Sequence, residues 1–178
     1  MMMKHCMLDL ETMGNGNRAA IIAIGAVIFD SLEVEEVGFY AQVSLDSSVR
    51  QGLEMDTSTV LWWLQQSDAA RAAFENNEKA QSLATVLNDF ATWLGQFHDV
   101  QMWGNGAAFD NTILSTAYRK CGIEQPWKFW NDRCYRTMKS LFPDVKCNRF
   151  GTYHNALDDA RTQAWHLIEI CEKHGVKL

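Results

Sequence analysis

The chain has 178 residues, of which 47% are hydrophobic and 21% charged, with a formal net charge of −6. These values predict one soluble domain spanning residues 1–178 and exclude a repeat array or a disordered chain. No run reaches the roughly 18 apolar residues of a membrane helix, and the apolar opening is too short for a signal peptide. The five cysteines are scattered, which is typical of reduced thiols. We therefore expect a cytoplasmic protein without membrane contact.

Positive charge is concentrated in one segment of this acidic chain. Residues 118–151 contain eight Lys and Arg but only three Asp and Glu, a local net charge of +5 against −11 elsewhere. This asymmetry is compatible with a phosphate-binding face, but an ordinary solvated surface explains it equally well. Charge alone does not identify the partner.

The first half of the chain predicts three strands and then three helices. Residues 5–10, the apolar run 19–29 and residues 37–43 read as strands, and their short connections favour an antiparallel meander. Helix start signals occur at residues 56–58 and 67–68. Apolar residues at steps of three and four then predict an amphipathic helix over residues 83–97.

The second half alternates strands and helices. It predicts a strand at residues 100–103, a helix at 107–120, a strand within 128–136, a short helix to 141, and a final helix at 155–173. With consecutive helices written as one α, the order is β-β-β-α-β-α-β-α, which predicts an α/β domain with a mixed sheet.

Two acidic residues, Asp9 and Glu11, end the first predicted strand. Alternate strand residues point to the same side, so both carboxylates share one face. Adjacent carboxylates repel each other and lose solvation, and a divalent cation removes that penalty. A strand end with its acids in water is the alternative interpretation.

A second acid follows the small-residue turn Gly104-Asn105-Gly106, where Asp110 lies near a predicted helix start. Small residues let a ligand approach the backbone closely. However, an acid in a first helical turn is often only a favourable partner of the helix dipole.

A third feature is His154 at the start of the last predicted helix, followed by Asp158 and Asp159. These two acids differ by about 100° around the helix, so only one of them can face a given site. A histidine that caps the helix or packs in the core is the structural alternative.

In their order and spacing, the three features resemble the DEDDh exonucleases, the DnaQ-like branch of the ribonuclease H fold. Their motifs are D-x-E, a second Asp, and H-x-x-x-x-D. These correspond to Asp9 with Glu11, Asp110, and His154 with Asp159. The resemblance implies a ribonuclease H-like α/β fold with a mixed five-stranded sheet flanked by helices. It also implies 3′→5′ hydrolysis of phosphodiester bonds with release of 5′-mononucleotides.

Further segments are similar to phage DexA-type exonucleases, small prophage proteins termed exonuclease VIII, and related bacterial exoribonucleases. These are the segment 9–14, the pair Trp62-Trp63, residues 129–137 and the His154 segment. Cys134 departs from the pattern, which has an acid at that position.

The resemblance implies two Mg²⁺ or Mn²⁺ ions and a role for each motif residue. Asp9 would bridge the ions, Glu11 and Asp159 would hold the first, and Asp110 would support the second. His154 would accept a proton from the attacking water, as a histidine can near neutral pH.

We also expect substrate contacts near the motifs, although each residue concerned suits a structural role equally well. Of the adjacent tryptophans, we expect one in the core and the other at an interface or in the substrate groove. The substrate candidates are Thr12, Met13, Asn105, Phe109, Trp62 and Arg133.

Three questions about the partner stay open at this stage. The expected substrates are 3′ ends of single-stranded DNA or RNA, without a preference between the two sugars. An oligoribonuclease-like enzyme for very short RNAs and a non-catalytic nucleic-acid-binding module are the alternatives. The sequence also leaves a homodimer open.

Overall fold

A mixed five-stranded sheet organises the protein, in a computed structural model that describes residues 3–178. Neighbouring strands follow the order β3-β2-β1-β4-β5. The first three strands pair antiparallel, whereas β1 with β4 and β4 with β5 pair parallel. The predicted meander and mixed sheet are therefore confirmed. The strands are β1 (His5–Thr12), β2 (Ile21–Phe29), β3 (Phe39–Gln42), β4 (Gln101–Gly104) and β5 (Asp132–Cys134).

Seven α-helices lie within the described residues, and the sequence analysis did not anticipate the first of them. They are α1 (Leu45–Arg50), α2 (Thr57–Trp63), α3 (Asp68–Arg71), α4 (Leu83–Leu94), α5 (Asp110–Cys121), α6 (Tyr135–Leu141) and α7 (Ala156–His174).

Several predicted elements are shorter than expected, among them the third strand, which is Phe39–Gln42, and the amphipathic helix, which ends at Leu94. The helix predicted from residue 107 begins at Asp110, because a turn precedes it in which the Phe109 N–H donates to the Gly106 carbonyl at 2.8 Å. The last strand has only three residues, because Phe129–Asn131 form a 3₁₀ turn.

The sheet is covered on both faces. Alternate residues of β1 belong to different apolar clusters: Leu8 and Leu10 pack on the side of α4 and α5, and Met7 packs under α7. Asp9 and Glu11 have the same strand parity as Met7, so the pleat directs them towards α7.

A glycine lets the start of α7 rest directly on the sheet. Gly25 in β2 is the ladder partner of Asp9. A Cβ atom at Gly25 would lie 2.1 Å from the carbonyl carbon of Ala156 and 2.3 Å from the backbone nitrogen of Leu157. These are backbone atoms of the first turn of α7, so no rotamer change relieves the overlap. Glycine at this position thus allows α7 to begin beside the acids of β1.

Within residues 3–178, we find no helix with the length and apolar character needed to cross a membrane.

We expect Gly25→Ala to destabilise the protein, because the added methyl group must push α7 away from β2. Overpacking of this kind costs about 1–3 kcal/mol or more in free energy of unfolding, which denaturant titration measures. Gly16→Ala is the matched control, since a Cβ atom at Gly16 would meet nothing within 4 Å. Equal stability of the two variants would contradict the packing argument.

Candidate active site

A cleft of about 540 Å³ opens where the carboxyl ends of β1 and β4 meet the first turns of α5 and α7. Three separate parts of the chain therefore contribute to one site. All five residues that the sequence analysis assigns to catalysis line it: Asp9, Glu11, Asp110, His154 and Asp159.

The two acids of β1 are held differently. Oδ1 of Asp9 accepts a hydrogen bond of 2.6 Å from the side-chain amide of Gln163 on α7. Glu11 is 6% exposed, and its Oε1 is buried without a hydrogen-bond partner among the described residues. An unpaired buried carboxylate oxygen is costly, so Glu11 is a group prepared for a cation.

Asp110 is almost fully buried, and the backbone fixes both of its oxygens. Oδ1 accepts from the Leu10 N–H at 3.1 Å, and Oδ2 accepts from the Asn105 N–H at 2.9 Å. These bonds connect the start of α5 to β1 and to the turn after β4. They set the orientation of the carboxylate before any ligand arrives.

The start of α7 supplies the histidine and the fourth acid. Asn155 caps the helix, with its side-chain oxygen accepting from the N–H groups of Leu157 and Asp158, both at 3.1 Å. The His154 N–H donates to Oδ2 of Asp159 at 3.2 Å. His154 has φ 61°, a left-handed conformation that is uncommon for a non-glycine residue and occurs often at functional sites.

The two neighbouring acids of α7 point to different places. Asp159 lies in the cleft, where ligand atoms of Glu11, His154 and Asp159 all lie within 4.8 Å of one another. Asp158 instead accepts a hydrogen bond of 2.8 Å from the Thr152 N–H. The helical rotation of about 100° per residue explains the divergence.

Burial and mutual repulsion raise the pKa values of the acids. The pKa of Glu11 rises to about 8 through burial and the charges of Asp159 and Asp110. Burial raises the pKa of Asp110 to about 7, against the opposing hydrogen bonds from the Leu10 and Asn105 N–H groups. The pKa of Asp9 rises well above its ordinary value, again chiefly through burial. The hydrogen-bond donors around the carboxylates therefore do not fully compensate their negative charge.

The donor set fits a hard divalent cation. Four carboxylates converge with one histidine, and one buried oxygen of Glu11 lacks a partner. Carboxylate oxygens favour Mg²⁺ or Mn²⁺ over Zn²⁺. Burial lowers the pKa of His154, so its ring is neutral near pH 7 and can accept a proton.

A second pocket of about 430 Å³ adjoins the cleft and has aromatic walls. Trp63 is buried and donates from Nε1 to the Thr12 carbonyl at 2.9 Å, whereas Trp62 is 42% exposed. The rings of Trp62 and His154 are 5.0 Å apart. Thr12, Trp62 and Phe109 line this pocket, and Asn105 and Phe109 line the cleft.

Two predicted substrate contacts lie elsewhere. Met13 is 6% exposed and packs in the apolar cluster beneath β1, because the chain turns inwards after Thr12. Arg133 lies in β5, where Nη1 donates to the carbonyls of Trp130 and Asp132, and it does not line the cleft. The arginine of this segment that lines the cleft is Arg136, which follows the strand end.

The sequence analysis did not assign several residues that the structure places in the cleft. Gln163 is four residues after Asp159, so the helical period could have revealed it. Arg149 has no such signal: it lies in the loop before α7 and forms an ion pair with Asp159. Arg136, Lys139 and Tyr153 complete this basic and aromatic side of the cleft.

The loop between α6 and α7 is fastened to α7 at several points. The Phe150 N–H donates to Oγ1 of Thr162 at 3.1 Å, and Nε2 of His166 donates to the Val145 carbonyl at 2.9 Å. Asp144 forms an ion pair with Lys173 and a hydrogen bond with His174, near the end of the same helix.

Comparisons with known proteins identify a family and a relative by sequence. Residues 4–171 match the family described as the 3′-5′ exoribonuclease Rv2179c-like domain. The chain is 30% identical over 155 residues to an exodeoxyribonuclease of Enterobacteria phage T4, covering 73% of this chain and 68% of that protein.

Solved structures share the fold at low sequence identity. The nuclease domain of 3′hExo, a DEDDh family member bound to rAMP, superposes with a TM-score of 0.68 at 15% identity, covering 99% of this chain and 95% of that one. The cell-death related nuclease CRN-4 gives 0.58 at 14% identity, covering 96% and 64%.

The family match over nearly the whole chain, the phage relative and the DEDDh-type fold around the cleft agree on one class of enzyme. The chain belongs to the Rv2179c-like 3′–5′ exoribonuclease family and is a 3′–5′ exonuclease that hydrolyses phosphodiester bonds.

Proposed function

We propose that the protein removes 5′-mononucleotides one at a time from the 3′ end of single-stranded DNA or RNA with two Mg²⁺ or Mn²⁺ ions. The observation that carries this proposal is the convergence of four carboxylates and a neutral histidine in a cleft that adjoins an aromatic pocket. A cleft of this kind can bind cations and a terminal nucleotide side by side.

Asp9, Glu11, Asp110 and Asp159 are the proposed metal ligands. When bound, the two ions would stabilise negative charge on the attacking and leaving oxygens of an in-line displacement. The raised pKa of Glu11 and its unpaired buried oxygen support this assignment, because both indicate a missing positive charge.

His154 is the proposed general base. Its ring stands at the wall of the cleft among Trp62, Trp63 and Tyr153, with ring centres 5.0, 5.8 and 5.9 Å away. These aromatic neighbours restrict the orientation of the imidazole, and burial lowers its pKa. The neutral ring can then accept a proton from the attacking water.

The aromatic pocket is the proposed site of the terminal nucleotide. Phe109 lines both cavities, so it stands at their boundary, and the exposed ring of Trp62 offers a stacking surface. Stacking tolerates every base and both sugars, which supports a substrate range including DNA and RNA. Arg136 and Lys139 supply positive charge for the phosphates.

The proposal predicts a ladder that shortens from the 3′ end when 5′-labelled single strands of DNA and RNA are incubated with Mg²⁺ or Mn²⁺. EDTA should abolish it, and Asp9→Asn should reduce its rate on the order of a thousandfold or more. Asp89→Asn, at an exposed position on α4, is the charge-matched control and should retain the wild-type rate.

Substrate length separates this activity from the scavenging of very short RNAs. Dinucleotides cleaved in strong preference to longer strands would favour the oligoribonuclease-like alternative. Metal-dependent products released from the 5′ end would contradict the proposal. Homodimerisation stays a prediction, which size-exclusion chromatography with light scattering tests.

We expect Trp62→Ala to lower kcat/KM on single strands about tenfold, since base–aromatic stacking contributes roughly 1–3 kcal/mol. Steady-state kinetics with RNA and DNA measure the effect. Trp130→Ala removes an aromatic ring that is 61% exposed but outside both cavities, and should leave kcat/KM near the wild-type value. Equal losses in the two variants would argue against a nucleotide in this pocket.

Metal affinity is expected to increase with pH, because cations bind the deprotonated carboxylates. With the pKa of Glu11 near 8, the affinity for Mg²⁺ should rise roughly tenfold or more from pH 6.5 to 8.5. Calorimetric titrations at several pH values, in buffers of different ionisation enthalpy, measure both affinity and proton release. A pH-independent affinity without proton release would contradict the raised pKa values.

The stability of the metal-free protein should have the opposite trend. The folded-state pKa of Glu11 lies above its ordinary value of 4.5. The contribution of Glu11 to the free energy of unfolding is therefore fully present below pH 4.5 and is lost as pH rises through about 8. Thermal unfolding should therefore occur at a lower temperature at pH 8.5 than at pH 6.5, and Mg²⁺ should restore stability most at the higher pH.

A further inference from the structure

A cationic side chain of the protein itself lies in the acidic cleft. Nη2 of Arg149 forms an ion pair with Oδ1 of Asp159, and the two side chains are 26% and 11% exposed. The guanidinium carbon lies 3.3 Å from the ring centre of Tyr153. Burial raises the pKa of Asp159 and of Glu11, and the charge of Arg149 opposes that rise at both acids.

The ion pair engages the carboxylate of Asp159, which is one of the proposed metal ligands. Oδ1 of Asp159 is engaged by Arg149, and Oδ2 accepts from the His154 N–H. A guanidinium and a divalent cation that share one carboxylate stand within a few ångströms of each other. Their repulsion in a partly buried site is strong, so close occupation by both is unfavourable.

Besides the ion pair with Asp159, Arg149 contacts the exposed ring of Tyr153. Nε of Arg149 is buried but has no hydrogen-bond partner among the described residues. The ring beneath the guanidinium belongs to Tyr153, which is 63% exposed at the mouth of the cleft. The side chain can therefore leave Asp159 without breaking a second hydrogen bond, and solvent is close by.

We propose that Arg149 is a displaceable internal counterion, which neutralises Asp159 when the cleft holds no metal and leaves this carboxylate when a divalent cation binds. The proposal rests on the metal site of the proposed function and adds a competitor to it. Arg149 is thus a positioning residue that keeps the acids together in the metal-free protein and sets how tightly metal is held.

Metal affinity in matched variants tests the competition. Arg149→Met removes the charge but keeps an unbranched side chain over Tyr153, and Lys139→Met removes one charge from the same cleft without touching a carboxylate. In calorimetric titrations of metal-stripped protein with Mn²⁺, Arg149→Met should bind roughly tenfold or more tightly than wild type, because it loses a direct competitor. Lys139→Met should change affinity less than about threefold, since only a screened charge is lost.

Nuclear magnetic resonance of the wild-type protein tests displacement directly and needs no variant to fold well. In protein labelled with ¹⁵N-arginine, the Nε–H signal of Arg149 is assigned by its absence in Arg149→Met or, if that variant is unfolded, in Arg149→Lys. Addition of diamagnetic Mg²⁺ should shift this signal in proportion to site occupancy, while the signals of Arg18 and Arg50, whose carboxylate partners Glu54 and Asp46 lie outside the cleft, stay in place.

The failure of this inference can be told apart from that of the proposed function. If wild type binds Mn²⁺ but both Met variants change affinity equally, or the Arg149 signal does not move with Mg²⁺, the counterion role is overturned and the metal site stands. Absence of Mn²⁺ and Mg²⁺ binding by wild type would overturn both.

Discussion

The crowding of four carboxylates into one partly buried cleft is the constraint on which the rest of the structure depends. Burial raises the pKa values of Asp9, Glu11 and Asp110, and repulsion by neighbouring carboxylates adds to the rise at Asp9 and Glu11. The fold therefore has to force them together. Two features hold the carboxylates together: the direct packing of α7 on Gly25, and the apolar clusters on either side of the sheet.

Each acid is stabilised by a different local device. Asp110 relies on two backbone N–H groups, Asp9 on the amide of Gln163, and Asp159 on Arg149 and the His154 N–H. Of these four acids, Glu11 is the one with a buried side-chain oxygen that has no partner in the described residues. The compensation is incomplete at Glu11, which favours the binding of a cation there.

The parts of the fold that depend on local pattern could be predicted from the sequence. The β-branched run that forms β2, the apolar periodicity of α4 and the spacing of the motif residues all carry their own signals. Residues that depend on loop geometry could not be predicted in this way. Arg149 reaches Asp159 only because the loop before α7 folds back along that helix, and no periodicity encodes that path.

The end of a strand also decides which of two arginines reaches the cleft. Arg133 and Arg136 look equivalent in the sequence, but the strand ends after Cys134, and only the residue beyond that end lies at the cleft. Met13 was ambiguous for a similar reason, since a turn decides whether it faces the pocket or the core. Sequence pattern identifies the elements, and their ends decide which side chains reach the site.

Because the loop before α7 is bonded to that helix, the loop and α7 can be exchanged together as one module. Phe150, Val145 and Asp144 contact α7 at Thr162, His166 and His174, respectively. Arg149, His154, Asp159 and Gln163 all lie on this loop and helix, on a single continuous stretch of chain. A chimera that takes this stretch from a relative would thus inherit the cleft residues of the loop and α7 together with their own charge compensation, joined to a sheet that contributes Asp9 and Glu11.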